Sequence, residues 1–401
     1  MSAGLKGIKT IRDFDLKDKV LFLRLDLNVP IENGKITDDT RIRESLKTIR
    51  YAVEHEAKII ISSHLGRPKT AADKQYSLEP VARKLSEELK MEVLLSEEPN
   101  TDGVKALLVG LKKNQIILLE NLRFFPGETK NSVELAQEFA SYSDIYINDA
   151  FGASHRAHAS IHALPELMTH KGIGFLIEKE INMLDQLISQ PVRPYVAILG
   201  GAKVSDKIGV IEKLLDIVDV FIIGGAMAYT FLKSQGHNVG KSLVETDKVK
   251  YAGEIIERVA ARGKTILLPV DHVVTANIKD THCKTTSGIN IDEELMGVDI
   301  GPATIRSFSS AIAESKTIFW NGPMGVFETP EFSKGTFAIA KAVAENKGTK
   351  IVGGGDSASA ANMSGHAAAM THISTGGGAS LEYLQGDKLP GLEIVRVKVR
   401  N

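Results

Sequence analysis

Four arginines in the first half of the chain have the chemistry needed to hold a small anion. Each lies in or near a loop that follows a short run of β-branched residues, and one such loop also carries His64; they are Arg41, Arg67, Arg123 and Arg156. A guanidinium group presents paired donors to a carboxylate or phosphate, which a lysine ammonium group does not. The grouping predicts a site for a strongly anionic small molecule, and the alternative for any single arginine is an exposed or ion-paired surface position.

In the second half, a glycine cluster with two lysines suits a phosphate group. Residues 200–207 read GGAKVSDK after a β-like run, and the apolar spacing predicts a helix over 202–215. Such a helix would place Lys203 and Lys207 on one face and leave backbone N–H groups at its positive end for phosphate. The alternative is a tight turn with two exposed lysines.

Two more glycine clusters repeat this arrangement, at 353–357 (GGGDS) and 374–380 (STGGGAS). Asp356 lies at the first of these junctions, where it is a candidate ligand for Mg²⁺ beside phosphate groups. A helix N-cap is the equally good structural alternative for this aspartate.

The sequence predicts no metal site at its histidine cluster, no P-loop and no dinucleotide-binding fingerprint. His155, His158 and His162 have helical spacing, but no cysteine is near and Arg156 lies among them, which favours surface or anion-contacting histidines over metal ligands. Residues 236–242 (GHNVGKS) resemble a P-loop but have one residue too few between the glycines. No dinucleotide fingerprint opens a helix after the first strand.

The elements that must position these residues are strands and helices in alternation, which predicts an α/β fold. The strand-like runs are continuously apolar, as in parallel sheets that are covered on both faces. Nearly every polar or glycine cluster follows the end of such a run, which is the edge where open parallel sheets bind ligands. The predicted strands are 20–25, 58–61, 115–119, 144–147, 195–199, 219–223, 265–268, 317–320, 350–352 and 372–374.

Length and composition limit the classes of protein to which the chain can belong. A length of 401 residues predicts two or three domains, with two as the simpler case. The 49 basic against 50 acidic residues give no support to a nucleic-acid binder that works through bulk charge. The single cysteine, Cys283, favours a reducing compartment. Residues 1–14 lack the apolar segment of a signal peptide, so we expect a cytoplasmic protein. The apolar stripe over 175–189 predicts a helix that connects two α/β halves, with an ordinary packed helix as the alternative.

Long motifs in a fixed order, from about residue 20 to residue 390, resemble the phosphoglycerate kinase family. They are LDLNVP (25–30), SHLGRP (63–68), ENLRF (120–124), NDAFG (148–152), HRAH (155–158), GGAKVSDK (200–207), WNGPMGVFE (320–328), GGGD (353–356) and STGGGASLE (374–382).

The resemblance implies two doubly wound, Rossmann-like parallel-sheet domains that face each other across a hinged cleft. Residues 1–172 would bind phosphoglycerate, residues 173–389 would bind the adenine nucleotide, and residues 390–401 would pack back on the first domain. The implied activity is glycolytic and gluconeogenic, the reversible transfer of a phosphoryl group between ATP or ADP and the carboxylate of 3-phosphoglycerate with Mg²⁺. A cytoplasmic monomer without nucleic-acid or membrane partners is implied as well.

The same resemblance carries roles onto individual positions. Those implied for phosphoglycerate are Asp26, Leu27, Asn28, Arg41, His64, Leu65, Gly66, Arg67, Arg123 and Arg156. Those implied for the nucleotide are Gly201, Lys203, Lys207, Gly225, Gly297, Asn321, Glu328, Gly354, Gly355, Asp356 and Ser357, with Asp356 also the metal ligand. Those implied in catalysis are Arg41, Lys207, Gly355 and Gly378.

The implied chemistry agrees with the residues present. A substrate carboxylate is already ionised at neutral pH, so the reaction needs no general base. We expect Arg41, Lys207 and the glycine-loop N–H groups to neutralise the transferring phosphoryl group while domain closure excludes water. Two rivals are an NAD-dependent dehydrogenase, which lacks its fingerprint here, and a non-catalytic two-domain anion-binding protein, which would usually carry an export signal.

Overall fold

The computed structural model describes residues 2–96 and 102–397. Its contacts divide the chain into two units. Unit 1 comprises the described residues up to Asn182 together with those from Lys388 onward, and unit 2 comprises Met183–Asp387.

The strands are, in chain order, β1 (Val20–Leu25), β2 (Ile31–Glu32), β3 (Lys35–Ile36), β4 (Lys58–Ser62), β5 (Glu92–Ser96), β6 (Gln115–Leu119), β7 (Ile145–Asp149), β8 (Lys171–Ile173), β9 (Tyr195–Leu199), β10 (Val220–Ile223), β11 (Thr265–Leu267), β12 (His272–Thr275), β13 (Lys284–Thr285), β14 (Met296–Ile300), β15 (Thr317–Asn321), β16 (Thr349–Gly353) and β17 (His372–Ile373).

The helices are, in the same order, α1 (Thr40–Glu54), α2 (Glu79–Leu89), α3 (Asp102–Gly110), α4 (Pro126–Thr129), α5 (Val133–Ala140), α6 (Leu164–Leu167), α7 (Phe175–Ile188), α8 (Ile208–Leu214), α9 (Met227–Ser234), α10 (Val249–Ala261), α11 (Pro302–Glu314), α12 (Lys334–Glu345), α13 (Gly355–Met363), α14 (Gly378–Gln385) and α15 (Pro390–Glu393).

Each unit is built on a six-stranded parallel sheet. The strand order is β5-β6-β4-β1-β7-β8 in unit 1 and β11-β10-β9-β15-β16-β17 in unit 2. All ten predicted strands belong to these two sheets, so the α/β prediction with two parallel sheets is confirmed. The pattern missed β5 and β8 at the sheet edges, and it missed the antiparallel sheet β13-β12-β14 and the hairpin β2-β3.

Both faces of the unit 1 sheet are covered, which explains its continuous apolar runs. On one face Leu21 and Leu23 belong to the main hydrophobic core. On the other, the fully buried Phe22 packs against Phe139 and Tyr146, with ring centroids 5.2 and 6.2 Å apart. Successive residues of a strand point to opposite faces, so a strand that is buried twice has no polar positions to alternate.

Helix α7 begins on a buried acidic cap, and the boundary between the two units falls within this helix. The fully buried Asp149 at the end of β7 accepts the N–H of Ile177 at 3.0 Å and the hydroxyl of Thr48 at 2.5 Å. Thr48 in turn accepts the N–H of Phe175 at 3.0 Å. A side chain at Gly174 would collide with the carboxylate, since its Cβ would lie 2.3 Å from Asp149 Cγ.

Asp149→Ala is expected to lower the free energy of unfolding by about 2–3 kcal/mol, because the N–H of Ile177 and the hydroxyl of Thr48 lose a buried acceptor. Urea unfolding followed by circular dichroism measures this loss. The matched control is Asp38→Ala, which removes an exposed cap that accepts the N–H of Thr40 at 2.8 Å and should cost less than about 1 kcal/mol. Equal losses in the two variants would contradict the buried-cap argument.

The segment from Lys388 onward packs on unit 1. Gly391 donates its N–H to the carbonyl of Ser154 at 2.9 Å and accepts Asn148 Nδ2 at 3.1 Å. Arg396 donates to the carbonyl of Gly4 at 3.1 Å. Residues 398–401, which the sequence analysis assigned to this segment, lie outside the described residues. Within residues 2–96 and 102–397, no helix is both long and apolar enough to cross a membrane.

Candidate functional site

Each sheet has one topological switch point, a strand whose two neighbours are reached by connections that run in opposite directions across the sheet. In unit 1, β1 lies between β4 and β7, and in unit 2, β9 lies between β10 and β15. Ligands of open α/β sheets bind beyond the carboxyl ends of the strands at such points. The loops that leave these ends contain residues 26–28 and 150–156 in unit 1 and residues 200–207 and 321–323 in unit 2.

In unit 1, the buried carboxylate of Asp26 holds Arg41. The Arg41 Nη1 atom lies 2.6 Å from Asp26 Oδ2, and Asn28 donates its N–H to Oδ1 at 3.3 Å. Burial alone would raise the pKa of Asp26, but the charges of Arg41 and Arg24 and the N–H of Asn28 bring that pKa below its ordinary value. Asp26 is therefore ionised, and it orients the guanidinium of Arg41.

Arg24 determines which nitrogen of His64 carries the proton. Arg24 is wholly buried in β1, and its Nη2 lies 3.2 Å from His64 Nδ1. A guanidinium only donates, so Nδ1 must accept and the neutral ring carries its proton on Nε2. Burial, together with Arg24 and other nearby arginines, holds the pKa of His64 well below its ordinary value, against the opposing effect of Asp26. His64 is thus a neutral donor at physiological pH.

Hydrogen bonds between main-chain and side-chain groups join the loops that follow β1, β4 and β6. Gly66, with φ +57°, donates its N–H to Asn28 Oδ1 at 2.8 Å and accepts Arg123 Nη1 at 2.6 Å. Leu27 donates its N–H to Ser63 Oγ at 2.9 Å. The buried Asn121 accepts the N–H of Leu65 at 3.1 Å and donates to the Leu65 carbonyl at 2.8 Å. A side chain at position 66 would strike the ring of Tyr76, so only glycine fits.

Three of the predicted arginines line one cavity. It measures about 590 Å³, and Arg67, Arg123 and Arg156 share it with His158 and Lys69. None of its described lining residues is a carboxylate. Arg41 is not among the lining residues, because it pairs with Asp26 instead.

The positive groups of this cavity repel one another. Burial, followed by the charges of Arg156 and Arg24, lowers the pKa of Arg123 to about 10. Burial and the neighbouring arginines lower the pKa of His158 to about 4, although Glu128 Oε1 lies 3.9 Å from its Nδ1. Arg123 Nε is buried without a hydrogen-bond partner among the described residues. A bound anion would offset this repulsion, favour the charged forms of Arg123 and His158, and offer an acceptor to Arg123 Nε, so the cavity has the chemistry to hold an anion.

In unit 2, glycines of neighbouring loops lie against one another too closely for side chains to fit. A Cβ at Gly225 would lie 2.5 Å from the Gly201 nitrogen, and one at Gly322 would lie 2.3 Å from the Gly200 carbonyl oxygen. Gly200 itself donates its N–H to the carbonyl of Asn321 at 2.9 Å. These contacts hold the loops that follow β9, β10 and β15 together. Gly201 borders open space, since no atom lies within 4 Å of its Cβ position.

The helix predicted over 202–215 is wrong in its first half. Helix α8 begins at Ile208, with Lys207 as its N-cap, and residues 201–207 form turns. The placement of Lys203 and Lys207 on one helical face is therefore also wrong. In place of a helical turn, the segment is bound by a remote carboxylate, since Glu245 accepts the N–H groups of Val204 and Ser205.

Lys207 reaches the end of β15. Its ammonium donates to Asn321 Oδ1, and Asn321 Nδ2 donates to the carbonyl of Gly353 at 2.7 Å. Burial lowers the pKa of Lys207, while Asp206 and Asp356 oppose this effect. Lys207, Asn321 and the start of α13 therefore form one cluster.

The glycine clusters lie at strand-to-helix junctions, as predicted. Helix α13 follows β16, and its N-cap is Gly354 with φ +93°, so the N-cap alternative for Asp356 does not apply. Helix α14 follows β17, and its N-cap is Gly377 with φ +51°. The N–H groups of Gly355 and Gly378 thus belong to first turns and have no helical acceptor. Ser357 accepts the N–H of Gly322 at 2.5 Å.

The remaining predicted positions lie beside β14. Gly297 donates its N–H to Ser242 Oγ at 2.9 Å, and a side chain there would overlap the Tyr229 hydroxyl. Val326 donates to the carbonyl of Val298 at 2.8 Å, which brings the loop carrying the exposed Glu328 to the same strand. Lys203 is exposed on its loop.

Sequence reasoning missed the buried supports of the unit 1 site. Arg24 donates to Ser160 Oγ at 2.8 Å, and Ser160 donates to the wholly buried Glu128 at 2.6 Å. A charged residue inside an apolar run, as in Leu23-Arg24-Leu25, is the one signal that could have revealed Arg24. Within residues 2–96 and 102–397, no three His, Cys, Asp or Glu side chains form a metal cluster.

Several known proteins that match this chain belong to one family. The family model described as phosphoglycerate kinase matches residues 11–387. A phosphoglycerate kinase of Bdellovibrio bacteriovorus is 67% identical over 401 residues, 100% of both chains, and one of Anaeromyxobacter sp. (strain Fw109-5) is 50% identical over 97% of this chain and 99% of that protein. The solved phosphoglycerate kinase of Coxiella burnetii superposes with a TM-score of 0.86 at 40% identity, covering 97% of this chain and 98% of the other.

Proposed function

This chain belongs to the phosphoglycerate kinase family, and on that premise we propose which of its side chains hold the two substrates and promote transfer. The activity is the reversible transfer of a phosphoryl group between ATP or ADP and the carboxylate of 3-phosphoglycerate. What remains to be assigned is the role of each residue.

Unit 1 holds 3-phosphoglycerate in this proposal. The observation that carries it is the cavity of Arg67, Arg123 and Arg156, which collects positive charge without a lining carboxylate. The phosphate of the ligand would take these three guanidinium groups, and the neutral His64 and the Asp26-oriented Arg41 would serve the carboxylate end. The main-chain and side-chain groups of Leu27, Asn28, Leu65 and Gly66 complete the assignment.

Unit 2 holds the nucleotide. The open backbone above Gly201, the Lys207 ammonium and the first-turn N–H groups of α13 offer donors and positive charge to phosphates. Gly225 and Gly297 leave space where side chains would intrude. The full proposed set is Gly201, Lys203, Lys207, Gly225, Gly297, Asn321, Glu328, Gly354, Gly355, Asp356 and Ser357.

Mg²⁺ enters with the nucleotide. Asp356 is an exposed carboxylate in the first turn of α13 and acts electrostatically on Lys207. Mg²⁺ is commonly held by one or two carboxylates plus substrate phosphates rather than by an all-protein cage, so a single aspartate fits this ion. Asp356 would hold the ion, which when bound neutralises phosphate charge.

For the transfer itself, the chain supplies charge and position. The attacking carboxylate needs no base, and negative charge develops on the oxygens of the transferring phosphoryl group. We assign Arg41, Lys207 and the N–H groups of Gly355 and Gly378 to that charge. Direct transfer requires the two substrates to meet without water, so domain closure about a hinge belongs to the proposal. We further propose a cytoplasmic monomer that binds no nucleic acid, in keeping with its single cysteine and net charge of −1.

The pKa of His158 tests the unit 1 assignment. An anion in the cavity favours the imidazolium form, so saturation with 3-phosphoglycerate should raise this pKa from about 4 by roughly one to three pH units. Histidine NMR titration measures the shift, with His158→Gln to assign the signal. ADP with Mg²⁺ is the control and should leave the value unchanged. A shift with ADP but none with 3-phosphoglycerate would overturn the assignment of unit 1.

The activity itself has a separate test. Absence of turnover in an assay with ATP, Mg²⁺ and 3-phosphoglycerate would contradict it.

A further inference from the structure

Residues 200–207, here called the lysine loop, are fixed by hydrogen bonds to a side chain about 40 residues further along the chain. Glu245 Oε2 accepts the N–H groups of Val204 and of Ser205, the latter at 3.1 Å. Glu245 Oε1 accepts the Ser205 hydroxyl at 2.6 Å. Two adjacent N–H groups and one hydroxyl that converge on a carboxylate form a charge-assisted cluster, which is stronger than the neutral bonds of a turn.

The carboxylate is itself fixed to the body of unit 2. Glu245 donates its own N–H to Thr230 Oγ1 at 3.1 Å, and Thr230 is buried in α9. The same helix begins beside the other end of the lysine loop, where Met227 donates its N–H to the carbonyl of Gly201 at 3.0 Å. Helix α9 therefore secures the loop twice, once at Gly201 and once through Glu245.

The loop geometry controls where Lys207 lies. Lys207 donates its N–H to the Val204 carbonyl at 2.8 Å, so the turn that Glu245 holds at Val204 ends on Lys207. From there the ammonium reaches Asn321. Without the Glu245 bonds, the N–H groups of Val204 and Ser205 would lose their acceptors, and the turn that ends on Lys207 would no longer be fixed. A turn with more conformational freedom would let the Lys207 ammonium leave its position on Asn321.

We propose that Glu245 is a positioning residue for the phosphoryl transfer, acting through the lysine loop on Lys207. It touches neither substrate in this proposal. The inference rests on the proposed role of Lys207, and its test must therefore separate the two.

The test compares Glu245→Ala, Glu245→Gln and the matched control Glu254→Ala, an exposed glutamate of α10 that pairs with Lys250. Glu245→Ala should lower kcat on the order of 10- to 100-fold, as expected for a misplaced catalytic group, with the KM for 3-phosphoglycerate unchanged. Glu245→Gln keeps an acceptor oxygen for the loop and should recover most of the activity. Glu254→Ala should behave as the parent protein.

The double variant Lys207→Ala with Glu245→Ala identifies the route. If Glu245 acts through Lys207, the double variant should be no slower than Lys207→Ala alone, because the two losses are not additive. Additive losses, or a Glu245→Ala variant with parental kcat, would overturn the inference while leaving the role of Lys207 intact. Parental kcat in Lys207→Ala would instead overturn the catalytic role proposed for Lys207. A lower Tm with parental kcat in Glu245→Ala would show a structural role only and would also overturn it.

Discussion

Arg41→Ala is expected to lower kcat by about 10²- to 10³-fold, the usual loss when one preorganised group for transition-state charge is removed. The guanidinium is oriented by a salt bridge of 2.6 Å to the buried Asp26. That preorganisation is what allows Arg41 to meet developing charge without reorganising first. Steady-state kinetics in the ATP-forming and ATP-consuming directions should show the same fractional loss, since both directions share one transition state.

Two further variants separate charge from folding. Arg41→Lys keeps a positive charge beside Asp26, so the protein should stay folded, but it loses the paired donors and should remain at least about tenfold slow. Arg43→Ala, on the same helix and exposed in an ion pair with Asp39, should keep parental kinetics. A change confined to KM in Arg41→Ala, with kcat intact, would show that Arg41 binds ground state and transition state equally.

Lys207→Ala carries the second large effect, a decrease in kcat of about 10²- to 10³-fold. The ammonium is partly buried and is held on Asn321, close enough to Asp356 to feel its charge. A positive charge placed in such surroundings interacts more strongly with a phosphoryl group than an exposed lysine would. The measurement is kcat at saturating ATP, Mg²⁺ and 3-phosphoglycerate.

The control for this variant is Lys213→Ala, an exposed lysine in α8 whose loss should leave kcat unchanged. Lys207→Arg should restore only part of the activity, because the longer planar group does not reproduce the contact with Asn321. If Lys207→Ala raised the KM for ATP and left kcat at the parental value, the lysine would serve binding alone.

The fold could be predicted where local sequence and tertiary burial agree. The bounds of β1, β6 and β9 are those predicted from their apolar runs, because a strand that is buried on both faces needs apolar residues at nearly every position. β8, with only Lys171–Ile173, is too short for any pattern. The antiparallel strands β12 to β14 mix polar and apolar residues, so their pairing depends on partners distant in sequence.

The candidate site likewise has parts that local sequence predicts and parts that it does not. The glycine clusters at the starts of α13 and α14 could be predicted, because their chemistry and their backbone geometry are both local. The start of α8 could not, because the bonds that fix Val204 and Ser205 come from Glu245, which lies far along the chain. The proton position on His64 could not either, since it depends on Arg24, a side chain whose burial a strand pattern does not encode.

The return of residues 388–397 to unit 1 has a consequence during synthesis. Unit 2 is continuous in sequence and can fold as it leaves the ribosome, whereas Asn148, Ser154 and Gly4 of unit 1 must wait for Gly391 and Arg396. At translation rates of roughly 5–20 residues per second, the roughly 205 residues of unit 2 alone take about 10–40 s to synthesise, so the wait is at least that long. The first unit to emerge is therefore the last to be completed, and for that interval it depends on its own sheet, without its final segment, to resist misfolding.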